Sequence, residues 1–125
     1  MLGKFILWLS SISFISYGLA CLFSPELPAG FAGLAFNNGD GYAELGAMYG
    51  GLQTGFGLFC LLGALRADLY RGALTALVVV VGFLALGRLY STLTSPEAVA
   101  MYTYGAMIYE FFTALVAGIA LSRDD

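Results

Sequence analysis

Residues 72–94 read GALTALVVVVGFLALGRLYSTLT, and Arg88 is the only charged side chain among them. A helix that crosses a bilayer needs about 20 mostly apolar residues. Three further runs meet this requirement and carry at most one charged side chain each: residues 5–23, 45–65 and 98–121. These runs lack the alternating polar period of barrel strands, and they are apolar nearly all round. The sequence therefore predicts four transmembrane helices.

The composition of the chain excludes several classes of protein. The sequence has 125 residues, of which 60% are hydrophobic and 10% charged, with a formal net charge of −3. Soluble domains carry about 25% charged residues, so this surface is unsuited to water on all sides. The pI near 4.6 and the lack of a basic patch argue against nucleic acid as a partner. Because the sequence has no histidine, serine–histidine triads and histidine-ligated zinc or haem are excluded, and we expect no cofactor.

The lengths of the links between the four runs predict how the helices are arranged. Residues 66–71 and 95–97 form short links, and short links join antiparallel neighbours. We therefore expect an all-α fold, an integral-membrane antiparallel four-helix bundle that forms a single domain over residues 1–125. The link 24–44 is longer and contains the turn-forming run NNGDG at residues 37–41.

The tripeptide Ser-Pro-Glu follows two of the predicted helices, at residues 24–26 and 95–97. Serine is a common helix cap, proline suits the first helical position, and glutamate suits the positive end of the helix dipole. We therefore expect Ser95 to start helix four. We also expect Ser24 to start a short interfacial helix that lays three apolar side chains on the outer leaflet: Phe31, Leu34 and Phe36.

The basic residues near the helix ends predict an orientation. Cytoplasmic loops of membrane proteins carry an excess of lysine and arginine. All basic residues outside the spans lie before helix one, between helices two and three, or after helix four: Lys4, Arg66, Arg71 and Arg123. We therefore expect both ends of the chain in the cytoplasm, the other two links outside, and a bacterial inner membrane as the location.

Helix two carries two pairs of glycines spaced by four residues, Gly46 with Gly50 and Gly51 with Gly55. Small residues at this spacing let helix backbones approach closely in lipid. The two pairs point to different faces, which predicts that helix two is central and touches two neighbours. A pore-lining helix is the alternative interpretation, and tight bundle packing is the one we favour.

Ionisable side chains inside membrane spans are costly and mark candidate functional sites. Counted along the predicted helices, Glu44 lies at the outer mouth of helix two, Arg88 about 10 Å deep and Glu110 about 20 Å deep. We expect Glu44 and Arg88 to form the steady ion pair, because arginine binds carboxylates with two hydrogen bonds, and Glu110 to be the group that titrates. Tyr49 and Gln53, one turn apart on helix two, complete a candidate ligand-binding set.

Two interpretations of the charged residues stay open. In one, Glu44, Arg88 and Glu110 form a buried salt-bridge cluster that only fixes the register of the helices. In the other, they line a polar pocket in the bundle core that binds a small ligand or a proton, together with Tyr49 and Gln53.

Part of the sequence resembles a known family. The shared features are the segment ELGAMYGGLQ at residues 44–53, then Gly55 and Gly57, the Gly-Arg-Leu run at residues 87–89, and Glu110. These resemble the domain of unknown function 4345 family, which is similar to the broader DoxX-like group of small four-helix membrane proteins. The family pattern has an arginine two residues after its first glutamate, where this chain has Gly46. The resemblance implies a four-helix membrane bundle and no defined activity, and the DoxX-like group implies an accessory role beside quinone or redox complexes.

Three functions compete on this sequence. The first is a non-catalytic accessory or scaffold subunit that packs against partner membrane helices, in a larger membrane complex or a homo-oligomer. The second is binding of a small amphipathic apolar ligand (a quinone, sterol or lipid) in the bundle core. The third is conduction of protons or a solute. An enzyme is the weakest hypothesis, because the sequence shows no nucleophile–base pairing, metal set or phosphate loop.

Overall fold

Four long helices account for most of the chain in the computed structural model, which describes residues 1–123. They are α1 (Leu2–Phe23), α3 (Gly39–Leu65), α4 (Ala67–Thr94) and α5 (Met101–Ser122), and the short helix α2 (Glu26–Ala32) lies between the first two. No strand occurs in residues 1–123. Helices α1 and α5 have 22 residues each, α3 has 27 and α4 has 28. At about 1.5 Å per residue, each long helix exceeds the roughly 30 Å of a bilayer core. The prediction of four helices long and apolar enough to cross a membrane is confirmed.

Two of the long helices contain a segment of π-helix, in which a backbone N–H donates to the carbonyl five residues earlier instead of four. The segment in α3 is Gly46–Gly51, and the one in α4 is Leu77–Val81. A π-turn inserts an extra residue and rotates the faces that follow it, and such turns are frequent at functional sites. The segment in α3 lies between two candidate ligand residues, Glu44 and Gln53, and contains a third, Tyr49.

Helix α3 begins six residues earlier than the apolar run predicts. Asn38 has extended backbone and caps the helix, because its Oδ1 accepts a hydrogen bond from the Gly41 amide at 3.0 Å. Asp40 in the first turn favours the positive end of the helix dipole. The segment 37–41 is expected as a turn from the sequence. Instead it contains the cap and the polar first turn of α3. Helix α4 begins at Ala67, five residues before the predicted run 72–94. Arg66 has extended backbone and is the one residue that separates α3 from α4.

The prediction that Ser95 starts the last long helix is wrong. The Ser95 hydroxyl accepts from the Glu97 amide at 3.2 Å and donates to the Glu97 carbonyl at 2.7 Å, so it closes a local turn. Helix α5 begins only at Met101, after Ala100 in extended conformation. The predicted short helix after Ser24 is present as α2, with Pro25 as its cap residue. Phe31 and Leu34 are exposed, as the interfacial prediction requires, whereas Phe36 is half-buried against Tyr42.

The chain divides into two compact units. The glycine-packed unit is Trp8–Leu62. In it, a Cβ at Gly50 of α3 would lie 2.6 Å from the Leu22 Cα of α1, and a Cβ at Gly57 would lie 2.8 Å from the Ile15 backbone nitrogen. The order of these contacts is opposite along the two helices, so α1 and α3 are antiparallel and in backbone contact here. The rings of Phe14 and Phe56 pack edge to face at 5.2 Å.

The ion-pair unit is Met1–Leu7 with the chain from Gly63 onward. Its core contains the fully buried side chains of Leu74 and Leu77 on α4. A Cβ at Gly118 of α5 would lie 3.9 Å from Val78, which is ordinary van der Waals contact. The Arg71 guanidinium donates to the Leu121 carbonyl at 3.3 Å. The single domain expected over residues 1–125 stays a prediction, and its last two residues lie outside the described chain.

Candidate functional site

Arg88 and Glu110 form a bidentate ion pair between α4 and α5. The Arg88 Nε donates to Glu110 Oε1 at 2.9 Å, and Nη2 donates to Oε2 at 2.8 Å. Two parallel, charge-assisted hydrogen bonds of this length are the strongest arrangement that a guanidinium and a carboxylate can make. The geometry fixes both the distance between the helices and their relative rotation at this level.

The pair is buried to different degrees at its two ends. The Glu110 side chain is 7% exposed and the Arg88 side chain 26%. A carboxylate in such an apolar setting requires a partner, because leaving a buried charge uncompensated costs several kcal/mol. The backbone carbonyl of Arg88 accepts a hydrogen bond at 2.8 Å from the hydroxyl of Thr92, which lies one turn further along α4. The two opposite charges are therefore matched within the pair.

One part of the predicted charge arrangement is wrong. The sequence predicts Glu44 as the steady partner of Arg88 and leaves Glu110 to titrate. In the structure, Glu110 engages Arg88 through both carboxylate oxygens.

The other candidate ligand residues lie on α3. Glu44 is exposed and precedes the π-helical segment, Tyr49 lies within that segment, and Gln53 follows it. Tyr49 and Gln53 are half-buried. These three residues belong to the glycine-packed unit, whereas Arg88 and Glu110 belong to the ion-pair unit. The structure brings the last two together, and a ligand pocket formed by all five stays a prediction.

Thr113 differs from three other threonines of the long helices. The hydroxyls of Thr54, Thr75 and Thr92 each donate to the carbonyl four residues earlier, at 2.7–2.8 Å. The Thr113 hydroxyl is fully buried and has no hydrogen-bond partner among the described residues. It lies one turn from Glu110 on α5. A buried hydroxyl without a partner is energetically unfavourable, so it is a place where a water or a polar ligand atom would be stabilised.

The family described as domain of unknown function (DUF4345) matches residues 2–121. The chain belongs to this family. No curated protein and no solved structure matches it significantly. The predicted resemblance to the DUF4345 family is thereby confirmed, and the wider DoxX-like grouping stays a prediction.

A second feature of this DUF4345 chain differs from the sequence analysis. Gly46 and Gly50 are buried, but Gly51 and Gly55 are exposed, and a Cβ at Gly55 would meet nothing within 4 Å. The second glycine pair therefore does not pack against a neighbour within the described chain. We call the exposed row that contains it the α3 seam: Met48, Gly51, Gly55, Leu58 and Leu62. Its members alternate by three and four residues, a spacing readable from the sequence and typical of a helix-packing face.

Proposed function

We propose that the chain is a single antiparallel four-helix bundle in a bacterial inner membrane, with both ends cytoplasmic, and that it acts as a non-catalytic accessory or scaffold subunit. In this role its helices pack against the transmembrane helices of a partner. Four helices of membrane length support the membrane part of the proposal. The further support comes from the α3 seam and from the ion pair.

The α3 seam is the observation that carries this proposal. Lipid covers any apolar surface in a membrane, so exposed leucines alone do not point to a partner. Glycines differ, because they leave a groove into which the backbone of a second helix fits closely. Gly51 and Gly55 provide this groove, and the larger Met48, Leu58 and Leu62 extend the same row on either side of it. Alternation by three and four is the spacing of a left-handed helix pair.

The ion pair favours a packing role over conduction. Arg88 and Glu110 satisfy each other through two hydrogen bonds. A proton carrier needs a carboxyl group that is not held by a fixed partner, whereas Arg88 holds both carboxylate oxygens of Glu110. The buried charges therefore serve the register of α4 and α5.

Substitution of Gly55 by leucine tests the proposed packing face. The new side chain points into open space in the chain itself, so folding is expected to be unchanged, while a partner helix on the seam meets a steric clash of about 1–3 kcal/mol. Gly105→Leu is the matched control, because Gly105 is also exposed on a long helix and has nothing within 4 Å. The measurement is the size of the tagged chain extracted from native membranes in mild detergent. We expect a complex for the original chain and for Gly105→Leu, and a roughly tenfold loss of it for Gly55→Leu.

Two outcomes contradict this proposal. The original chain could run at the size of a lone polypeptide in the mildest detergent that extracts it. Alternatively, Gly55→Leu and Gly105→Leu could reduce the complex equally, which would mean that the α3 seam has no special part in it.

Thr113 favours ligand binding as a second candidate function. Its buried hydroxyl, one turn from Glu110, would bind the polar end of a small amphipathic molecule such as a quinone, sterol or lipid. Glu44, Tyr49 and Gln53 stay predicted contributors to such a site. Mass spectrometry of small molecules that copurify with the chain tests this candidate. An unchanged ligand content in Thr113→Val and Glu110→Gln variants would count against it.

A further inference from the structure

A cavity of about 290 Å³ lies at one end of the ion-pair unit. Its walls come from three elements: Lys4 in the first turn of α1, the last turn of α3, and Arg66 with Tyr70 at the start of α4. We call this cavity the basic cleft. It is separate from the Arg88–Glu110 pair and contains none of the residues in the candidate ligand set.

The basic cleft carries positive charge that the described residues 1–123 do not neutralise. Arg66 uses Nε and Nη2 to hold the Asp68 carboxylate, at 3.1 and 2.9 Å. A guanidinium has five N–H donors, so three remain for another acceptor. Within residues 1–123, no ion pair or hydrogen bond joins the Lys4 ammonium to another residue. Two cations and one carboxylate leave the cleft with a formal charge of +1, which suits a singly charged anion.

The packing around the basic cleft makes it a defined feature of the fold. A Cβ at Gly3 would collide with the Tyr70 hydroxyl and with Tyr70 Cζ. Glycine at this position therefore lets the phenol end of Tyr70 lie against the backbone of α1, beside Lys4. Gly63 makes a similar contact, because a Cβ there would collide with Ala73. The three helix ends that form the cleft are thus in close contact through two glycines.

The start of α4 adds backbone N–H groups that can donate hydrogen bonds to an anion. Arg66 occupies the cap position, and no side chain caps the helix. The first amides of a helix that is 28 residues long point their N–H groups outward at the positive end of the dipole, where anions bind. With the guanidinium and the ammonium, they give the cleft three kinds of donor for phosphate oxygens.

The rim of the basic cleft is apolar and exposed. Phe5, next to Lys4, is 53% exposed, and Leu65, which lines the cleft beside Arg66, is 63% exposed. A soluble anion gains nothing from these side chains. A phosphate that bears acyl chains gains both the charged contacts and the burial of apolar surface, at roughly 25 cal/mol for each Å² removed from water.

We propose that the basic cleft binds the phosphate headgroup of an anionic phospholipid, with its acyl chains over Phe5 and Leu65. This inference rests on the membrane placement given under the proposed function, which puts Lys4 and Arg66 at the cytoplasmic headgroup level. Basic pockets between transmembrane helices on that side are suited to acidic lipids. The phosphate lies between Lys4 and Arg66, and Tyr70 forms the apolar wall behind it.

The test compares lipid binding by three forms of the full chain in nanodiscs of phosphatidylcholine that contain a minor fraction of phosphatidylglycerol. Native mass spectrometry counts the phosphatidylglycerol molecules kept by the original chain, by Lys4→Gln and by Arg123→Gln. Arg123 is the matched control, because it is a basic residue at the same predicted membrane face and does not line the cleft. One basic residue near the lipid surface is worth about 1 kcal/mol, so Lys4→Gln should bind phosphatidylglycerol about fivefold more weakly. Arg123→Gln should bind it as the original chain does.

A second arm separates the lipid from free phosphate. The original chain in pure phosphatidylcholine nanodiscs is titrated with inorganic phosphate, and we expect none to be retained. Equal loss of lipid in both variants, no preference for phosphatidylglycerol, or retention of inorganic phosphate would each overturn the inference. If the chain inserts into nanodiscs and passes the Gly55 test but shows no lipid preference, only the lipid site fails. If it does not insert, the membrane placement fails with it.

Discussion

Helices α1 and α3 meet through their backbones in the glycine-packed unit, whereas α4 and α5 meet through side chains in the ion-pair unit. At Gly50 a Cβ would lie 2.6 Å from a backbone carbon of α1. At Gly82 of α4 it would lie 3.8 Å from the Ala114 side chain, which is an ordinary contact. Between α4 and α5 the specific interaction is instead the Arg88–Glu110 pair.

The difference shows two ways of fixing helix register in an apolar setting. Hydrophobic burial gives little discrimination between helix faces when the surroundings are as apolar as the helices, so steric fit and polar contacts must supply it. A glycine contact excludes any side chain larger than hydrogen and is sensitive to every added atom. An ion pair is insensitive to added volume nearby but depends on both charged partners. The two units should therefore fail under different substitutions.

Removal of Arg88 should have the largest effect. Arg88→Met leaves the Glu110 carboxylate buried without its cation, which we expect to lower the free energy of unfolding by about 3 kcal/mol. The matched control is the double variant Arg88→Met with Glu110→Met, which replaces both charges by apolar side chains of similar size. It should lie within about 1 kcal/mol of the original chain. Equilibrium unfolding in mixed micelles, followed by circular dichroism, measures both values.

A double variant as unstable as Arg88→Met alone would contradict the account of the ion pair. It would mean that the methionine harms packing and that the buried carboxylate is not the cause. An unchanged stability for the single variant would show that the pair has no part in the register of α4 and α5.

Gly50→Ala should have the second largest effect and sharpens the contrast between the units. The added methyl group meets the backbone of Leu22, which cannot rotate away, and overpacking of this kind costs about 2 kcal/mol. Gly82→Ala is the matched control in the ion-pair unit, where the nearest atom is 3.8 Å away. There the gain in helix propensity, about 0.5–1 kcal/mol, should offset any crowding. The same micelle unfolding assay measures the stability of Gly50→Ala and Gly82→Ala. Equal changes in the free energy of unfolding would contradict the proposed difference between the two units.

The four long helices could be predicted from the sequence, but their ends could not. Long apolar runs identify the membrane-length core of each helix because composition alone decides that property. The ends depend on local polar contacts. The polar segment from Gly39 is helical because Asn38 caps it, while Ser95 folds back on Glu97 and does not cap anything. The sequence contains all these residues, and which of the alternative hydrogen bonds forms is decided only in three dimensions.

The candidate site was predictable in its residue types and not in its pairing. Arg88 and Glu110 were identifiable as costly charges within apolar runs. Their contact depends on the register of α4 against α5, at which Val78 lies beside Gly118 and Ala114 beside Gly82. Because α5 begins at Met101 and not at residue 98, Glu110 lies about 4.5 Å closer to the start of its helix than expected.

The smallest predicted effect concerns two threonines near the ion pair. Thr113→Val removes a buried hydroxyl that has no hydrogen-bond partner in residues 1–123, so it should raise the free energy of unfolding by about 1 kcal/mol. Thr92→Val is the isosteric control, because its hydroxyl donates to the Arg88 carbonyl, and it should lower stability by about 0.5–1 kcal/mol. Opposite signs in the micelle unfolding assay are therefore expected. If Thr113→Val instead lowers stability by as much as Thr92→Val, the Thr113 hydroxyl binds a water or ligand in solution. The ion-pair unit would then hold a polar site beside Glu110, and ligand binding would gain over the scaffold role.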